Sequence, residues 1–209
     1  MLEEGARPSL PTKIKKGVTM DDKTKKKIFY IADTHFGHEN IIKFDGRPFS
    51  SVEEMNETMK DNWNSVVGKD DLVYVLGDFM WRFKDQDFNF AKGLNGRKRL
   101  IKGNHDKCHS TNFKKLFENI VEYDKVDDNG RVIILSHYPI LAHDGSFRGR
   151  KLMLHGHVHT TRENDFIMEY IKTNKCEDYP MRIYNVGCMM PWMNYTPRTL
   201  DEILAHFEE

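Results

Sequence analysis

The sequence predicts an α/β fold in one domain, on three observations. Short apolar runs rich in Ile, Val, Tyr and Phe alternate with helical apolar stripes. A chain of 209 residues with 39% hydrophobic content can bury one good core and is too short for two comfortable ones. The turn Asp127-Asp128-Asn129-Gly130 joins two such runs as a hairpin, so the sheet system is mixed.

Residues 1–27 are polar and Lys-bearing, without apolar periodicity, and are expected to form a disordered tail or extension. Met20 is a candidate natural start, which would make residues 1–19 an upstream extension. The single domain is then 28–209. Strands are expected at Ile28 to Ala32, Leu72 to Leu76, Arg99 to Ile101, Val132 to Leu135, Leu152 to Leu154 and Arg182 to Val186, with Val121 to Val126 as the hairpin partner. Ser51 and Glu54 form a capping box ahead of Val52, Met55, Met59, Trp63 and Val66, one apolar stripe along a helix. Shorter stripes are Phe88, Ala91 and Leu94, then Phe113, Leu116 and Phe117. Thr199 and Glu202 repeat the capping signal before Leu200, Ile203, Leu204 and Phe207. The segments Ala142 to Lys151 and Thr160 to Tyr179 are expected to be long polar connections.

Charge and cysteine content exclude several classes. Lys plus Arg and Asp plus Glu both total 32, so no overall field draws the chain to nucleic acid or anionic lipid. No apolar run approaches the roughly 20 residues that cross a bilayer. Three cysteines, Cys108, Cys176 and Cys188, lack metal-pair spacing and suit reduced thiols in a cytoplasm.

The chemistry lies at the strand ends. Ile28 to Ala32 runs into Asp33-Thr34-His35, and Leu72 to Leu76 into Gly77-Asp78. Arg99 to Ile101 runs into Lys102-Gly103-Asn104-His105-Asp106, Val132 to Leu135 into Ser136-His137, and Leu152 to Leu154 into His155-Gly156-His157-Val158-His159. Ligands just past the C-terminal ends of neighbouring strands converge on one rim of a sheet, the usual place for a site in α/β folds. Taken singly, each piece is ordinarily a turn, a cap or a satisfied core histidine. Together they deliver oxygen and imidazole ligands from five segments, a set that suits Mn, Fe, Co, Ni or Zn.

This ordered set, Asp-x-His, Gly-Asp, Gly-Asn-His-Asp, His and Gly-His-x-His, resembles the calcineurin-like metallophosphoesterases over Ile28 to about Val186. The run from Thr34 to Ile42, with Phe44-Asp45-Gly46-Arg47-Pro48-Phe49, is similar to small bacterial and phage members. The resemblance implies a four-layer α-β-β-α sandwich with two mixed β-sheets. It implies two divalent metal ions, manganese first with iron, zinc, nickel or cobalt as alternatives. Asp33, His35 and His159 would hold one ion, Asn104, His137 and His157 the other, and Asp78 would bridge them. His105 would be the catalytic histidine, beside the metals. Two dications carry about +4, and Asp33, Asp78 and one bridging hydroxide leave about +1, a balance that favours a phosphoryl group.

The expected reaction is hydrolysis of a small phosphomonoester or phosphodiester, nucleotide-like esters included, by a metal-bridging hydroxide with His105 assisting the leaving group. His38 and Arg47 are the first candidates for substrate contact, followed by Arg82, Arg148 and Arg150. Trp192 and Tyr195 are candidates for stacking on a base or for local packing. A phosphoprotein substrate is argued against by Phe79-Met80-Trp81-Arg82-Phe83, which stands where the phosphoprotein branch carries Asp-Arg-Gly. A metal-dependent nuclease is the second reading, with Arg97, Lys98, Arg99 and Lys102 as a local basic patch against a net charge of zero. A non-catalytic scaffold of the same fold is the third, and the complete ligand set argues against it.

Overall fold

The computed structural model describes residues 26–174 and 180–208. The expected tail lies outside them except at its end. There the Lys27 N–H donates to Asp71 and its carbonyl accepts from Leu72, so main-chain pairing starts just before the first strand.

The first sheet is built from parallel β1 (Ile28–Ile31), β2 (Leu72–Val75), β3 (Arg97–Ile101) and β4 (Asn119–Val121), with β9 (Arg198–Thr199) antiparallel on β1. The second runs β5 (Tyr123–Asp128), β6 (Arg131–Ser136), β7 (Leu152–His155) and β8 (Ile183–Asn185), antiparallel at the hairpin and parallel thereafter. Both sheets are mixed, as the resemblance implied. One expected boundary moves. Val121 ends β4 in the first sheet, and the chain crosses to the second within one residue, Glu122. Asn129 and Gly130 turn the hairpin at φ +55° and +80°, a conformation that a small polar residue and a glycine accept at low cost.

Strand parity divides the core. Ile133, Leu135, Leu152, Leu154 and Tyr184 join the large cluster shared with the first sheet, whereas Ile134, Met153 and Ile183 face the other way into a second cluster. Tyr30 reaches across from β1 and donates its hydroxyl to Asp128 of the hairpin, 3.1 Å away, fastening one sheet to the other.

Helix α1 (Glu39–Phe44) is followed by α2 (Val52–Val66), which buries Met55, Met59 and Trp63. Its start is capped as expected. Ser51 accepts from the Glu54 N–H, one of the donors a helix start leaves unpaired, and Glu54 accepts from the Ser50 N–H just before the cap. Short helices α3 (Phe88–Lys92) and α4 (Thr111–Lys114) take up the next two stripes. The expectation of a polar connection over Thr160 to Tyr179 is corrected. Residues Arg162–Thr173 form helix α5, capped by Thr161, which buries Asn164, Ile167 and Ile171 on the outer cluster. A narrow stripe of two isoleucines one turn apart, on an otherwise polar helix, is enough when a sheet face is there to receive it. The rest of that stretch, 175–179, falls outside the described residues. Helix α6 (Leu200–Glu208) starts on the reciprocal Thr199–Glu202 box.

The sheets meet at one rim. The Ala32 N–H donates to the Val186 carbonyl, and the Ala32 carbonyl accepts from Cys188, so the ends of β1 and β8 are laced together.

Candidate metal centre

The loops leaving β1, β2, β3, β6 and β7 all open on that rim, at the C-terminal ends of parallel strands. Neighbouring loops pair with one another. Asp33 and His35 donate their N–H groups to the carbonyls of Gly77 and Asp78, at 3.0 and 2.9 Å. Asp33, His35, Asp78, His157 and His159 all have positive φ, between +46° and +71°. Left-handed backbone at non-glycine residues is uncommon and costs of order 1 kcal/mol or more each, so such a concentration marks a rim shaped for its side chains.

Two groups of donors come together there: Asp33 with His35 and His159, and Asp33 with Asp78 and His137, the donor atoms of each within 4.8 Å of one another. Oδ2 of Asp78 stands between the two histidines that the resemblance assigned to different ions, 3.6 Å from Nε2 of both His35 and His137. Oδ1 of Asp33 is 3.7 Å from Nε2 of His159. Oδ1 of Asn104 is 3.0 Å from Nε2 of His137, whose Nδ1 donates to the Leu76 carbonyl at 2.8 Å. In the neutral ring this leaves two acceptors facing one another, a contact that a shared electrophile resolves. His157 stands at the margin, half exposed, its ring 5.0 Å from that of His137 and its N–H donated to both oxygens of Asp33.

The donor set fits metal binding on a second count. Both ring nitrogens of His35 are buried without a hydrogen-bond partner, which an all-protein site does not explain. Burial pushes the His35 imidazole down to about 3, keeping it neutral and able to ligate. Burial raises the Asp78 carboxyl to about 6 against the opposing pull of His137 and the His105 N–H. Burial would also raise Asp33, but the surrounding His159, His137 and His35 hold it below the ordinary carboxylate value. His159 moves the other way. Burial opposes its charge, yet Asp33 and Asp45 raise it to about 10.

Two acids and one arginine outside the expected metal ligands hold this frame. Asp45 Oδ1 is 2.7 Å from Nδ1 of His159, which turns Nε2 toward Asp33. Asp106 accepts from the N–H groups of Asp78, Phe79 and Gly103, so it ties the β2 loop to the β3 loop through backbone bonds. Arg47 is reassigned: it is 4% exposed, and its guanidinium bonds Asp45 and the carbonyls of Asp33 and Thr34, so it braces the first loop from behind and does not face a ligand. The proximity of Arg47 to the Asp-x-His motif was visible in sequence, but not the side from which it approaches.

His38 is buried at 7% exposure, its ring 4.0 Å from that of Trp81 and 5.6 Å from that of His35. His105 is half exposed, its ring 5.6 Å from His35 and 5.0 Å from Trp81, and its N–H donates to Asp78 Oδ1. Arg82 is exposed, with its guanidinium 5.4 Å from the Trp81 ring centre. Among the described residues it makes no ion pair. His155 is buried with Nδ1 against the Gly156 carbonyl. Trp192 stacks on His206 and meets Phe207, and Tyr195 packs on Phe49, so both take the packing role.

The profile of the calcineurin-like phosphoesterases matches residues 26–207. The chain belongs to that family. It is thereby a phosphoesterase whose family works with divalent metal ions. It is 35% identical to an uncharacterised protein of Methanocaldococcus jannaschii over 189 residues, 88% of this chain and 93% of that one. It is 30% identical to the gene 66 protein of Mycobacterium phage L5, over 63% of this chain and 77% of the phage protein. The solved structure of a protein of unknown function from Aquifex aeolicus superposes with a TM-score of 0.66 at 31% identity, covering 88% of this chain and all of that one. No helix among the described residues is long and apolar enough to cross a membrane.

Proposed function

We propose that this calcineurin-like phosphoesterase hydrolyses small phosphate esters, monoesters or diesters, on two divalent ions. Asp33, His35 and His159 would hold one ion and Asn104, His137 and His157 the other, with Asp78 between the two sets. The observation that carries the reading is the equal 3.6 Å approach of Asp78 Oδ2 to His35 and His137. Bound there, the ions would supply Lewis acidity to the phosphoryl oxygens and lower the pKa of water. Manganese is the first choice, with iron, zinc, nickel or cobalt served by the same donors.

The chain's own groups do the rest. The half-exposed His105 ring donates a proton to the oxygen that leaves as the P–O bond breaks, and its main-chain bond to Asp78 fixes its distance from the centre. Arg82 offers a positive charge to a neighbouring anionic group. A duplex nuclease is disfavoured: Arg97 and Arg99 pair with Glu118, Lys102 with Glu122, and Lys98 is buried against the carbonyls of Leu94 and Gly96. We read residues 28–209 as the single working domain, in the cytoplasm, with a small phosphorylated substrate as partner.

Hydrolysis of p-nitrophenyl phosphate and bis-p-nitrophenyl phosphate by manganese-loaded protein is the test. Activity on either ester supports the reading; inactivity with every divalent metal, while two ions are bound, overturns it.

A further inference from the structure

Six large hydrophobic side chains are exposed among the described residues, and two of them belong to the rim of the metal centre. Phe44, at 75% exposure, ends α1 with its ring 6.2 Å from that of His38. Tyr138, at 47%, follows His137, with ring distances of 5.1 Å to His137 and 4.5 Å to His157. The contacts between them form a row. Phe44 meets His38, His38 meets Trp81 and His35, Asp78 stands between His35 and His137, and His137 meets Tyr138. The two exposed rings are therefore joined through the candidate metal ligands, Phe44 by way of His38 and Tyr138 directly on His137.

Neither ring has a packing role that accounts for it. Trp192 and Tyr195 show what packing looks like in this chain, Trp192 set against His206 and Phe207 and Tyr195 against Phe49. An exposed aromatic ring leaves apolar surface in water, and beside a reactive centre it has value when a ligand covers it.

We infer that the ester this site accepts is a phosphodiester bearing a nucleobase on each side of the phosphorus, one base stacked on Phe44 and the other on Tyr138. The inference rests on the phosphoester reading above and names its substrate class. Flat ring faces select planar partners of any sequence, because every base has a π-face. Aliphatic substituents would call for a concave aliphatic wall, and the large apolar groove of this chain, about 930 Å³ between Met168, Ile171, Met181 and Phe207, lies away from these loops. Two rings in place of one favour a diester with two planar groups over an aryl monoester. The exposed Arg82 guanidinium on the Trp81 face adds a contact for the next phosphate of a single strand, and the neutralised patch on β3 gives a duplex no comparable track.

The test compares two esters with one leaving group, thymidine 5′-(p-nitrophenyl phosphate) and methyl p-nitrophenyl phosphate, on the manganese-loaded full chain. The expected kcat/KM ratio favours the thymidine ester by roughly tenfold or more. The double variant Phe44→Ala/Tyr138→Ala should bring that ratio close to one, and Phe44→Trp/Tyr138→Trp should restore it. Equal rates on both esters, a ratio untouched by the double alanine variant, or a higher kcat/KM on a phosphotyrosine peptide would overturn the inference. Binding separates it from the chemistry. Should neither ester be hydrolysed, the proposed diester chemistry fails, and thymidylyl-thymidine titrated by tryptophan fluorescence still decides the stacking. Tighter binding than dimethyl phosphate, lost in the double alanine variant, upholds it; indifference to the base refutes it.

Discussion

Nδ1 of His159 lies 2.7 Å from Oδ1 of Asp45, and the other oxygen of Asp45 is held by Arg47 at 2.9 Å. This fixes the ring so that Nε2 faces Asp33. Asp45→Ala should weaken metal binding by roughly 10- to 100-fold, as loss of a carboxylate behind a ligating histidine commonly does. Titration calorimetry with manganese checks it, and an affinity equal to that of the wild type would show that Asp45 does not orient the ring.

His105→Ala should lower kcat by roughly 10²- to 10⁴-fold, the usual contribution of a positioned acid, without loss of metal. The main-chain bond from residue 105 to Asp78 persists in the variant, so the centre keeps its geometry. Metal content by elemental analysis alongside steady-state rates separates this outcome from simple collapse of the site.

The positive φ of His157, +71°, gives a test of strain independent of catalysis. His157→Gly and His157→Ala both remove the imidazole, but glycine accepts this backbone and alanine does not. The glycine variant should be the more stable of the two by about 1 kcal/mol in urea unfolding of metal-free protein. Equal midpoints would mean that the loop relaxes.

Gly103 should prove intolerant for a steric reason. A Cβ there would lie 2.3 Å from Oδ1 and 2.6 Å from the main-chain nitrogen of Asp78. Gly103→Ala should cost about 1–3 kcal/mol and reduce metal binding. Gly46→Ala is the control. Its φ is +61° but nothing lies within 4 Å, so only the backbone cost of about 1 kcal/mol is expected, with metal binding kept.

Lys98 predicts a pH dependence away from the centre. Burial pushes its amine down from 10.5 to about 8, so between these values the unfolded chain binds more protons than the folded one. The cost of this lysine is fully present below about pH 8 and is relieved as pH rises to 10.5, a change of about 3 kcal/mol. Urea unfolding at pH 7, 8, 9 and 10 should show the wild type gaining on Lys98→Met through this range. A constant difference would refute it.

The strands and the capped helices α2 and α6 were legible because local signals and tertiary fate agree there: apolar runs that end in ligands, and Ser or Thr three residues before Glu. Helix α5 was not, since its two buried isoleucines are a weak pattern until a sheet face is supplied. The split of Val121 from Tyr123 was equally hidden, because nothing in a continuous β-prone run announces a change of sheet. At the rim, the motifs announced which residues gather. They did not announce the side from which Arg47 enters, nor that Asp45, 114 positions from His159, is its partner. Those relationships depend on how α1 and its following loop fold back, which no spacing encodes.

The crossing at Glu122 divides the chain so that Asp33, His35, Asp78 and Asn104 precede it and His137, His157 and His159 follow. Both donor groups, Asp33–His35–His159 and Asp33–Asp78–His137, draw on each side of that point. Two fragments cut there would each carry an incomplete set, and a divalent ion would act as the clasp that rewards their reassembly.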